Sequence, residues 1–91
     1  MILVINYDLR QPRRDYAKLI EAIKAFDSWC HPLESFWLVD TTRTTGETHS
    51  LLAKHVDEND GLFVHRAQKD AAWTGVSKEC SDWINNSARR W

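Results

Sequence analysis

The chain has 91 residues, 43% of them hydrophobic, with 12 lysines and arginines against 13 aspartates and glutamates for a net charge of -1. That length supports one hydrophobic core, so residues 1–91 read as a single domain, and the composition excludes a fibrous or disordered protein. No apolar run approaches the roughly 20 residues that span a bilayer, and no global positive field draws the chain to nucleic acid, so any such contact must come from a local patch.

Residues 2–7 (ILVINY) form a short, almost continuous apolar run rich in β-branched side chains, which predicts a central strand buried on both faces. Asp8 stands at its exit, and residues 9–12 form a loop whose Pro12 suits a helix entry. This opening has no basic segment before its apolar run, which points away from a secretory signal and toward a cytoplasmic protein. Over residues 13–26 the apolar positions Tyr16, Leu19, Ile20, Ile23 and Phe26 follow helical spacing. A brief strand over 29–31 is expected to be interrupted by Pro32, followed by an aromatic strand over 35–40 (SFWLVD).

Thr44 with Glu47 fits a capping box opening a helix over 45–56 that buries Leu51, Leu52, His55 and Val56. The run Asp57 to Gly61 is a turn, residues 62–65 a strand, and residues 66–75 a loop carrying Trp73. Ser77 caps a last helix over 78–87, with Val76, Cys80, Trp83 and Ile84 on one face. The order β-α-β-β-α-β predicts a ferredoxin-like α+β sandwich, two helices on one face of an antiparallel four-stranded sheet, plus a C-terminal helix. The other sheet face then needs a cover, and five tryptophans in so short a chain point to a second subunit there.

Few residues carry chemistry. Asp8 is a hard oxygen donor suited to Mg²⁺ or Mn²⁺, but one carboxylate makes no tight site; two copies meeting at a dimer axis would. The alternative for Asp8 is a local bond to loop amides. Arg10, Arg13 and Arg14 bracket Pro12 and could grip phosphate near a helix N-terminus, or form a solvated charged turn. Arg89-Arg90-Trp91 is a second basic site at a terminus prone to fraying. The four histidines show no zinc spacing. Cys30 and Cys80 form no CxxC pair and read as two small buried apolar side chains, a disulfide being unexpected in a reducing compartment.

The run Ile2 to Leu9 followed by Arg13-Arg14, with Trp29-Cys30-His31 and the aromatic strand Ser35-Phe36-Trp37-Leu38 further on, resembles the small CRISPR adaptation subunit family (CRISPR-associated protein two). The virulence-associated protein D ribonucleases share that fold family. The resemblance covers about residues 1–65 and implies a ferredoxin-like homodimer. It also implies an interfacial aspartate at Asp8 that supports metal-dependent phosphodiester cleavage in nuclease members, and loop arginines facing RNA or DNA. From Gln68 onward the chain reads as loop and helix where the family has an extra strand. The resulting expectation is a dimeric module that binds nucleic acid or a partner protein, with no membrane association. Its alternative is a Mg²⁺- or Mn²⁺-dependent endoribonuclease working through Asp8.

Overall fold

The structure is a computed structural model describing residues 1–10 and 16–91. Strands β1 (Ile2–Asp8), β2 (Ser28–Leu33), β3 (Phe36–Asp40) and β4 (Gly61–Arg66) alternate with helices α1 (Ala17–Lys24) and α2 (Thr45–Ala53), and α3 (Lys78–Asn85) closes the order. The sheet runs β2-β3-β1-β4 and every neighbouring pair is antiparallel. This is the ferredoxin-like arrangement with an added C-terminal helix, as the sequence predicts.

The register explains why β1 is so apolar. It pairs on one side with β3, from Ile2 opposite Asp40 to Asn6 opposite Phe36. On the other side it pairs with β4, from Leu3 opposite Arg66 to Asp8 opposite Gly61. A central strand with two covered faces needs apolar side chains at successive positions. Leu3, Ile5 and Tyr7 enter one cluster with Leu19, Ile23, Phe26, Trp37, Val39 and Leu52, which α1 and α2 close. Ile2 and Val4 enter a second cluster on the opposite face with Cys30, Leu38, Cys80 and Ile84.

That second cluster answers what covers the far face: α3 of the same chain lies over part of it. Ser77 accepts from the Cys80 amide and starts the helix, and Cys80 and Ile84, four apart, point at the sheet. The tryptophans divide between the layers. Trp37 and Trp29 serve the first cluster, Trp83 and Trp91 flank the second, and Trp73 remains at the surface with its indole N–H donating to Ser81 Oγ.

Three local expectations need correction. Pro32 does not interrupt a strand: β2 continues through it to Leu33, with a register shift between Cys30 and Leu33. This is possible because β2 is an edge strand, where a missing N–H costs no ladder bond on the open side. Helix α2 ends at Ala53 rather than 56, and its capping box on Thr44 and Glu47 is formed as predicted. Its fully buried residues are Thr48 and Leu52, while His55 and Val56 lie past the helix and only half-buried. The C-terminus is not frayed. Arg89 Nη1 donates to Ser28 Oγ at 2.7 Å and its Nε to the Trp83 carbonyl at 2.8 Å, while Arg90 donates through its backbone N and Nε to buried Asp40. Among the described residues no helix is long and apolar enough to cross a membrane.

Candidate functional site

The exit of β1 is organised by a carboxylate that the sequence marks only as part of a turn. Asp60 Oδ1 accepts from the Arg10 backbone N at 2.8 Å, and both its oxygens lie 2.9 Å from the Tyr16 hydroxyl that donates to them. Asp60 Oδ2 also accepts from the Asp57 amide at 2.8 Å. One side chain thereby ties the end of β1, the start of α1 and the α2–β4 turn together. Its position just before Gly61 is the only sequence signal of this role: an Asp-Gly pair at a turn supplies a carboxylate able to bond nearby amides.

On this frame sit the two described candidates. Asp8 is 71% exposed and Arg10 59% exposed, with Arg10 Nε donating to Asp8 Oδ2 at 3.1 Å. Arg10 Nη1 donates to the Asn59 carbonyl at 3.0 Å, so the guanidinium is steered by two acceptors while its remaining N–H groups stay near solvent. Gly61 faces the pair: a Cβ there would lie 3.4 Å from Asp8 Cβ and 3.5 Å from Arg10 Nη2. These are ordinary van der Waals distances, so the strand start lies directly against the pair. Asp8 partners an arginine side chain rather than the loop amides its position suggests. Arg13 and Arg14 lie outside the described residues.

Alternation along β1 puts Asp8 and Asn6 on the α3 side of the sheet, beyond the reach of α3, and both are exposed. Asn6 pairs with Phe36 on one side and Phe63 on the other. Phe63 is 66% exposed and Leu33 52% exposed, large apolar side chains at a sheet face that the described residues leave open. Beside them a groove of roughly 610 Å³ runs between the sheet and the loop after β4, with Val4, Leu33, Phe36, His65, Trp73 and Ile84 in its walls.

Among the described residues this arrangement is incomplete as a cation site. Mg²⁺ and Mn²⁺ take several oxygen ligands, and among the described residues no three His, Cys, Asp or Glu side chains gather. Asp60 is occupied with loop bonds, and Asp8 with Arg10. Among the described residues, the donors would fit with a second Asp8 from another copy, each released from its arginine. The histidines are dispersed: His31 stacks on Trp37 with ring centroids 3.6 Å apart, and His65 meets Phe63 edge-on at 5.5 Å.

No family model matches the chain, and no solved structure matches it.

Proposed function

We propose that this protein is a homodimeric nucleic-acid-associated module, similar to the small CRISPR adaptation subunit in its opening strand and fold, that binds the phosphate backbone without cleaving it. The observation that carries the reading is the Asp8–Arg10 pair. The Asp8 carboxylate is engaged by an arginine at 3.1 Å, and that guanidinium, exposed and fixed in place by Asp8 and the Asn59 carbonyl, stands where a phosphate can take the place of Asp8 as its partner. Two more arginines, Arg13 and Arg14, follow within four residues. The open sheet face with Phe63 and Leu33 supports pairing with a second copy, which would bring two such basic loops onto one ligand.

The test is binding of short single-stranded RNA and duplex DNA, followed by fluorescence anisotropy across salt concentrations, with the oligomeric state from light scattering. Affinity is expected to fall with log salt, and the Arg13→Ala/Arg14→Ala double variant, which removes two arginines from each of two protomers, to lower the slope on duplex DNA by about 4. Binding that ignores salt would point to a protein partner instead, and a monomer would remove the dimeric part of the reading.

A second reading, a metal-dependent endoribonuclease, rests on the exposure of Asp8 at a rigid strand exit, where a twin from a second copy could meet it. It predicts Mg²⁺- or Mn²⁺-dependent RNA cleavage that Asp8→Asn reduces to background. Cleavage by the variant at the wild-type rate would end it.

A further inference from the structure

Cys30 and Cys80 are 50 positions apart, yet they close the same buried cluster: Cys30 from edge strand β2, Cys80 from the first turn of α3. Both are free thiols, 5% and 7% exposed, in that one cluster, and Cys80 is near enough to Cys30 to act on its charge. They sit where α3 packs on the sheet, at a junction that otherwise joins the helix to β2 through the Trp83 indole N–H donating to Ser28 Oγ. Arg89 reaches the same spot, stacked on Trp83 with its guanidinium carbon 4.1 Å from the ring centroid and bonded to Ser28.

We propose that Cys30 and Cys80 form a reversible disulfide that latches α3 onto the sheet. The oxidant is a low-molecular-weight disulfide of the glutathione type. One cysteine thiolate attacks a sulfur of that disulfide and expels one thiolate, leaving a mixed disulfide. The second cysteine thiolate then attacks the protein-bound sulfur and expels the other. One S–S bond breaks as one forms, two electrons pass to the oxidant's sulfurs, and the two cysteine protons end on the released thiols.

Two features shape the reaction. Burial, first, and the adjacent Cys80 push the Cys30 thiol far above its ordinary range, so the closed pair is unreactive and attack requires α3 to loosen. Once it loosens, the Arg89 guanidinium favours the Cys30 thiolate. Oxidation then traps the helix closed, because the bridge closes a long loop between β2 and α3. The latch is independent of what the β1 exit binds.

The experiment uses the full chain, reduced and then exposed to glutathione disulfide, quenched with an alkylating agent in denaturant and weighed intact. The expected product is a monomer lighter by two hydrogens that takes no alkyl group. Peptide mapping should link Cys30 to Cys80, reductant should reverse the change, and α3 amides should exchange at least about tenfold more slowly than in the reduced chain. Cys30→Ala and Cys80→Ala should each give only a glutathione adduct. If a variant does not fold, the wild-type mass and exchange still decide. The proposal is overturned if both thiols remain alkylatable, if only adducts or interchain dimers appear, or if the bridge forms without slowing exchange in α3.

Discussion

Replacing Trp37 with alanine is expected to cost about 3–5 kcal/mol, much of the roughly 5–15 kcal/mol that holds a domain of this size together. Trp37 is 1% exposed and stands second in β3, facing the layer under α1 and α2. Its indole N–H donates to the Tyr7 hydroxyl at 3.0 Å, and that hydroxyl donates onward to the Glu34 carbonyl at 3.3 Å. Trp29 packs on its ring at 5.3 Å and His31 stacks at 3.6 Å. Truncation therefore opens a large cavity, removes a buried donor and strips two aromatic neighbours of their platform. Urea unfolding with the midpoint and slope fitted separately checks this. Trp37→Phe, which keeps one ring but loses the donor and the rest of the indole, should cost less, about 1–2 kcal/mol. Equal losses in the two variants would show that the ring's volume is not what matters.

Asp40→Ala is expected to detach the C-terminal tail and to lower stability by about 2–3 kcal/mol. Asp40 is 4% exposed at the end of β3 and is the shared acceptor of a small charge network. Arg90 donates to it through its backbone N at 3.2 Å and its Nε at 3.1 Å. The Met1 ammonium lies 3.7 Å away and Arg89 Nη1 3.9 Å away. Removing the carboxylate leaves these donors facing an apolar methyl group, and Arg89, itself 14% exposed, has little water to turn to. The loss should be local before it is global. Amide exchange and proteolytic cleavage should rise over residues 86–91 in the variant under conditions where the sheet remains protected. An unchanged tail would mean that Arg89, through Ser28 and the Trp83 carbonyl, and Arg66, through the Trp91 carbonyl, anchor it without Asp40.

These effects concern groups whose importance differs in how far it can be read along the chain. The elements themselves are local matters. The apolar run at residues 2–7, the helical spacing of Leu19, Ile20 and Ile23, the Thr44–Glu47 box and the Ser77 cap all act within a few residues, so periodicity and capping chemistry place β1, α1, α2 and α3. Chain order and short connections then leave the ferredoxin-like sheet as the natural packing. Asp8 and Arg10 were legible as candidates for the same reason: they follow immediately on a strong strand signal.

Contacts between residues far apart in the chain belong to the other category. That Asp60 gathers Arg10 and Tyr16, that Asp40 holds Arg90, and that Cys30 meets Cys80 all follow from strand register and from where α3 comes to rest. Pro32 inside β2 was misplaced because a proline's tolerance depends on whether its strand is an edge, a property of the sheet and not of its neighbours in sequence. The far sheet face shows the same division. Five tryptophans announce more apolar surface than two helices can cover, but only the folded chain assigns part of that surface to its own third helix and leaves Phe63 and Leu33 in the open. Local propensity acts between residues a turn apart, whereas burial is shared among all the segments that reach one place, and the order of residues along a chain does not state which segments those are.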